Sequence, residues 1–528
     1  MRCGLYRIQR RVGVLVTLLA LVAAAGCTAG PSDRPAVAVR DAGLPPQRPL
    51  PTLPSTPLPP RGEYNPSSLV WQDCTNTITW QLGVPGPPRG FSPPRVECTQ
   101  LRVRADVSQP LLGHSLALDL SRVGHGPAPL VVLGEPTGEP GTVRAARLAG
   151  QLPPAVLESF TLIGLARRGT GPSGPLECIQ PSVRSRIVGF DPEISAPGQL
   201  ESLLDVTRTA IQTCVQDLGE MLTVINSTGA ADDLEALRVA LRAPVLNVFA
   251  HGTASRAVTD FLRRYPTSVG RVVLDGAADP TLDAVTAAEA ALMAADDGYT
   301  AFAADCLTRD CPLAPDPHAA LRALAEALRQ APLQAGQQWT TAGTAYQAVL
   351  ETIGTPERWA ELADALAAAR NGDGAGVATL VMPALLPTRG LPARFDPALA
   401  THCNDTPMRV PPERAEQLVE QWRARSPLFG PLFAQRLLLC SAWPVPSEPP
   451  AVPGARALPP VLVVATAADP VTPAVGARRT ADSLPSATLV TWQGQAHGAL
   501  PRSTCVVDLV TRFLVDAITP APGTLCPP

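Results

Sequence analysis

Apolar residues along this chain follow two rhythms. Short continuous runs recur at 130–133, 162–165, 245–249 and 272–274, with helical or loop segments between them. Runs of that length mark strands buried on both faces, and their alternation with helices predicts an α/β fold with a mostly parallel sheet. Ahead of them, residues 101–107 and 115–123 alternate apolar and polar positions, as an antiparallel hairpin does. From about 281 to 455 the rhythm changes to alanine-rich amphipathic helices, for instance 318–329, 358–370 and 412–425. Strand and helix then alternate again through 461–465, 477–484 and 489–492, ending in a helix over 505–517. The expected organisation is a core over 66–280, a helical cap over 281–455, and the rest of the core over 456–528. A cap inserted late in such a sheet covers the strand ends where these folds bind ligands.

The stretch 245–266, VLNVFAHGTASRAVTDFLRRYP, joins strand to helix most sharply. An apolar strand enters a small-residue corner and leaves as a helix with Ala257, Val258, Phe261, Leu262 and Tyr265 on one face. Strand, tight turn and helix form the layout of a nucleophile elbow, whose apex side chain stands exposed above the sheet. The apex here is Gly252, so the corner is present and a nucleophile is missing. Glycine accepts positive φ freely, which keeps the corner and relieves a strain of roughly 1–3 kcal/mol.

Asp469 follows the strand at 461–465, and His497 sits in a small-residue loop after the next strand. Apex, acid, histidine is the chain order of an α/β-hydrolase triad. In such a triad the imidazole takes a proton and the carboxylate orients it. Alone, Asp469 reads as a turn former beside Pro470 and His497 as a loop histidine; their joint order makes them triad remnants. Gly113-His114-Ser115-Leu116-Ala117 imitates a lipase signature, but the residues after Ser115 alternate as a strand and no helix follows. Thr253 and Ser255 fall in the first helical turn beyond the apex and are expected to point away from it. His251 is expected to be packed or hydrogen-bonded rather than catalytic.

Composition narrows the chemistry. All 43 basic residues are arginine, which excludes lysine Schiff bases and Ser-Lys dyads. The first 27 residues read as an export signal, with an arginine-rich start, an apolar run over 12–25 and small residues before Cys27. That ending resembles a bacterial lipobox with Cys27 as the lipidated residue, and two or three acyl chains suffice for anchoring. The alternative is plain secretion after an A-x-A site. Loss of Arg2, Arg7, Arg10 and Arg11 moves the formal charge from -3 to -7, a balance that does not suggest nucleic-acid binding. Residues 28–65 are proline-rich and read as a semi-rigid spacer. No later stretch is long and apolar enough to span a bilayer, so the lipid is the expected membrane contact.

Cysteines in an exported chain imply disulfides. Apart from Cys3 and Cys27, sequence neighbours pair naturally as Cys74 with Cys98, Cys178 with Cys214, Cys306 with Cys311, Cys403 with Cys440 and Cys505 with Cys526. No C-x-x-C pair or histidine pair has ligand spacing, so neither a metal nor a cofactor is assigned.

Several stretches carry a family resemblance: RRGTGPSGPLEC at 167–178, ADDLEALRVAL at 231–241, RVVLDGAADP at 271–280, CND at 403–405, and VLVVATAADPVTP leading to His497. The chain resembles exported tripeptidyl-aminopeptidase-like α/β-hydrolases, relatives of the proline iminopeptidases, including their C-terminal domain. The resemblance implies a serine exopeptidase fold with a cap that receives a peptide's N-terminal amine. It departs from that family at two places. The family's elbow reads close to GTSYG, where this chain has AHGTA. Its glycine-rich oxyanion loop, of the type NPGGPGGSG, is here GEPTGEPG at 134–141. In the family, backbone amides of that loop and of the residue after the nucleophile hold the oxyanion, which maps onto Pro136, Thr137 and Thr253. Pro136 has no N–H to donate, and Glu135 and Glu139 bring negative charge where negative charge must be stabilised. The expectation is a pseudoenzyme binding a peptide or small molecule, or serving as a scaffold. The alternative is an active peptidase or esterase with a non-standard nucleophile.

Overall fold

The computed structural model describes residues 58–62, 69–83, 94–107, 113–193, 198–280, 283–444 and 458–528. The export signal, Cys27 and most of the proline-rich stretch lie outside the described residues.

Twelve strands are described. In chain order they are β1 (Gln72–Asp73), β2 (Val96–Arg104), β3 (Ser115–Val123), β4 (Ala128–Leu133), β5 (Phe160–Leu165), β6 (Leu246–His251), β7 (Val269–Asp275), β8 (Leu333–Ala335), β9 (Gln338–Thr340), β10 (Val461–Ala468), β11 (Ala487–Gln495) and β12 (Thr524–Cys526). Ten of them form one sheet in the order β1-β2-β3-β5-β4-β6-β7-β10-β11-β12, while β8 and β9 pair as a small hairpin. The strands β1, β2, β3 and β5 meet antiparallel, and from β5 onward every pairing is parallel. This is the doubly wound α/β arrangement that the apolar runs predicted. The alternating stretches at 101–107 and 115–123 fall on the antiparallel pair β2–β3.

The side-chain period of two in a strand sends alternate residues of each central strand to opposite faces. Val131 and Leu133 of β4 join one core with Leu234, Leu237, Val258 and Phe261 of the helices Ser227–Ala240 and Ser255–Arg264. Leu130 and Val132 join the other with Val143, Leu148, Val506 and Phe513. Both faces are therefore covered, which is why these strands read as unbroken apolar runs.

A third core lies among the helices between β7 and β10, with Tyr299, Phe302, Leu362, Trp422 and Phe429 fully or almost fully buried. It also takes in Leu203, Val206, Ile211 and Cys214 of the helix Gln199–Leu218, between β5 and β6. The helical layer therefore draws on residues that the sequence reading placed in the first part of the core. A buried ion pair fastens the helix Pro181–Val188, also between β5 and β6, to the helices after β7: Arg184 Nε sits 2.6 Å from Asp396 Oδ1, and Asp396 also accepts the Cys178 and Ile179 amides. All five expected disulfides are present. No described helix is long and apolar enough to cross a membrane.

Candidate active site

The strand β6 ends at His251, and the chain turns through a 3-10 step at Gly252–Ala254 into the helix Ser255–Arg264. Gly252 sits at the corner with φ +58°, a conformation side chains with a Cβ rarely adopt. A Cβ placed there would lie 3.0 Å from His497 Cε1. The elbow apex, the acid and the histidine of the sequence reading thus converge above the C-terminal ends of β6, β10 and β11.

Asp469 is buried just beyond β10. Its carboxylate accepts the amides of Val471 (2.9 Å), Thr472 (2.8 Å) and Gly498 (3.0 Å) and the Thr472 hydroxyl (3.0 Å). That web fixes the carboxylate, and both its oxygens stand 3.1 Å from His497 Nδ1. The acid–histidine pair therefore has the geometry in which a carboxylate orients an imidazole. The helical layer also grips this loop, because the His497 amide donates to the Gly354 carbonyl at 2.8 Å.

The other ring nitrogen faces Glu135. Its Oε1 lies 2.9 Å from His497 Nε2, and its Oε2 accepts the Thr253 amide at 3.1 Å and the Thr253 hydroxyl at 3.2 Å. A Cβ at position 252 would come within 2.9 Å of Glu135 Cδ and closer still to Oε2. One carboxylate thus fills the space of a residue-252 side chain, engages the imidazole nitrogen that would activate it, and occupies the amide after the apex. Burial disfavours the charged forms of both groups, but their ion pair and hydrogen bond prevail. His497, with Asp469 on its far side, is held well above the ordinary imidazole value, and Glu135 well below the carboxylate range.

The loop carrying Glu135 behaves differently from the sequence expectation in its details. Glu139 turns outward to Arg147 (2.7 Å), so of the two glutamates only Glu135 enters the site. Pro136 is buried, and Thr137 is exposed with its carbonyl accepting from Arg394 of the helical layer at 3.0 Å. Thr253 corrects the expectation that it points away, since both its amide and its hydroxyl reach the carboxylate at the apex. Ser255 does point elsewhere, its Oγ accepting the Ala278 amide at 2.9 Å. Ser115 is the exposed first residue of β3, as the strand reading of that stretch requires.

His251 is buried and packs against His497 with ring centroids 4.3 Å apart. Burial, the Arg144 guanidinium and the His497 charge push its pKa down to about 4. Its Nδ1 lies 3.6 Å from Asp275 Oδ2 on β7. Asp275 is itself buried and accepts the amides of Ala499 (2.8 Å) and Leu500 (3.2 Å). Gly498, at φ +75°, makes this crowding possible, because a Cβ there would meet His251 Cε1 at 2.5 Å. Asp275 and Thr472 escaped the sequence reading. The order of strand-end residues hinted at Asp275, which closes the run RVVLDG; nothing local marked Thr472.

Residues 426–526 match the family model described as TAP-like protein. The chain is an α/β-hydrolase-fold protein with a TAP-like C-terminal segment. It is 28% identical to serine protease Hip1 of Mycobacterium tuberculosis over 87% of its own length and 91% of the relative's. It is 27% identical to carboxylesterase B of the same species, covering 74% and 79% of the two chains. To the tripeptidyl aminopeptidase of Streptomyces lividans it is 24% identical, covering 88% and 87%. These relatives are hydrolases of the protease, esterase and aminopeptidase kind.

Proposed function

We propose that this chain is an exported, lipid-anchored member of the TAP-like hydrolases that no longer performs serine acyl transfer and instead binds peptide, or another small ligand, under its helical layer. The observation that supports this reading above all others is the placement of Glu135. Acyl transfer needs a nucleophile beside the imidazole, a free Nε2 to take its proton, and amides free to bind an oxyanion. At Gly252 the nucleophile is absent, and Glu135 engages both His497 Nε2 and the Thr253 amide. The names of the relatives supply the ligand class. The helical layer, tied to the site through Gly354 and Arg394, supplies a roof over the strand ends.

The test is turnover. The mature protein should release no measurable product from chromogenic N-terminal tripeptide substrates or short esters. Ordinary enzyme rates, lost on His497→Ala, would overturn the reading. An active hydrolase with another nucleophile would draw on the Thr253 hydroxyl, which stands on the Nε2 side of His497 beside Glu135, whereas the Thr472 hydroxyl lies on the Asp469 side of the ring; turnover abolished by Thr253→Ala would establish it.

A further inference from the structure

Glu135, His251 and His497 each offer a ligand atom, and these atoms lie within 4.8 Å of one another. We propose that the three residues form a site for a divalent cation of the zinc class. Two imidazoles and one carboxylate with a fourth position left for water is a donor set that suits zinc.

The surroundings carry the argument further than the cluster alone. Metal-bound histidines usually hand their other ring nitrogen to a carboxylate, which fixes the ring and strengthens the ligand. His497 has such a partner, and His251 has a carboxylate placed to become one. His497 Nδ1 faces Asp469 at 3.1 Å, and His251 Nδ1 faces Asp275 at 3.6 Å, leaving the Nε2 atoms as the ligands. At 3.6 Å His251 Nδ1 makes no hydrogen bond although it is buried, a group that catalysis by an Asp–His pair does not use. Each supporting carboxylate is held by two or more backbone amides, so the outer shell is rigid before any ion arrives.

Charge agrees. Three buried carboxylates, Glu135, Asp275 and Asp469, face the cluster, and the Arg144 guanidinium is shared among Glu139, Asp275 and Glu135. Arg167, the other guanidinium that feels Glu135, is shared with Asp233 and Asp405. With neutral imidazoles the immediate site keeps excess negative charge, as a dication requires. Zinc bonds of about 2.0–2.2 Å put donor atoms roughly 3.3–3.5 Å apart, so a pair at the 4.8 Å limit must close by about 1.5 Å. Glu135 and His497 already stand 2.9 Å apart, so the closing is toward His251, and the loops that carry Glu135 and His497 beyond β4 and β11 can supply it. Metal entry displaces to solvent the proton shared by His497 Nε2 and Glu135, and no other bond changes.

The three ligands come from the ends of β4, β6 and β11, which is why no spacing along the chain announced them. The inference does not depend on loss of acyl transfer, because the readout below involves no substrate.

Chelator-treated mature protein should be titrated with Zn2+ against a chromogenic competitor and, separately, with Co2+ followed by visible absorption. The expected result is one Zn2+ per chain and the strong visible bands of four-coordinate Co2+. His251→Gln should weaken zinc by at least a hundredfold, and Asp275→Asn by roughly tenfold through the His251 ring. No retained zinc, a six-coordinate Co2+ spectrum, or unchanged affinity in folded His251→Gln and Glu135→Gln would each overturn the proposal. Should either substitution unfold the chain, the Co2+ spectrum of the natural protein decides.

Discussion

Gly252 and Glu135 explain each other. A serine at 252 would adopt φ +58° at a cost of roughly 1–3 kcal/mol, and its Cβ would collide with the Glu135 carboxylate. Gly252→Ser alone should therefore lower the melting temperature and yield no useful activity, because Glu135 still holds His497. Adding Glu135→Ala should recover the lost stability in part and free the imidazole; a double variant less stable than Gly252→Ser would contradict the steric account. The sequence made Gly252, Asp469 and His497 legible because elbow, acid and histidine each follow a strand in a fixed order. It also flagged Glu135 as a charge in the wrong place. That Glu135 is the partner of His497 was not legible, since the contact spans 362 positions and depends on how one loop folds. Thr253 was misjudged for the same reason: helical phase fixes where its Cβ points, but its hydroxyl follows a partner that only the fold supplies.

Among the elements, the central strands and the longer cap helices were readable because burial on both faces or on one stripe leaves a periodic signature. What escaped was the membership of the helical layer. The helix Gln199–Leu218 precedes β6, so chain order assigned it to the sheet, whereas its apolar stripe belongs to the same core as Tyr299 and Trp422. The pair Arg184–Asp396 ties the neighbouring helix Pro181–Val188 to the helices after β7, and its partners are almost wholly buried. Arg184→Met should reduce unfolding free energy by roughly 3–5 kcal/mol, measured by denaturant titration, because it strands a buried carboxylate. The helix Ala284–Thr308 carries a milder electrostatic cost. Burial lifts the Asp296 carboxyl to about 6, its neighbour Asp297 adding to the shift and a hydrogen bond from Ser426 opposing it. A folded-state value above the unfolded one means the folded chain binds that proton more tightly. This contribution is present below the unfolded value and is lost as pH rises toward about 6. Asp296→Asn should accordingly stabilise the chain by roughly 1 kcal/mol near neutral pH, a figure reduced for its partial exposure, and by almost nothing near pH ~4. Equal effects in melts at the two pH values would contradict the assignment.

At the scale of the molecule, five disulfides bind segments of one α/β fold. The proposed anchor at Cys27 predicts that Cys27→Ala moves the protein from the membrane fraction to the medium; retention in the membrane would refute lipidation there. The mostly parallel sheet and the disulfide partners followed from the chain, one through buried strand runs and the other through sequence neighbours, whereas the strand order did not. The site's occupation by one of its own side chains did not, because it is a property of three strand ends brought together. The central claim is that this site has no activated hydroxyl. A fluorophosphonate probe reports that state directly, since it labels only an activated serine or its equivalent. The natural protein should take up no label, Gly252→Ser little, and Gly252→Ser with Glu135→Ala clearly more. Stoichiometric labelling of the natural protein, abolished by His497→Ala, would contradict the account.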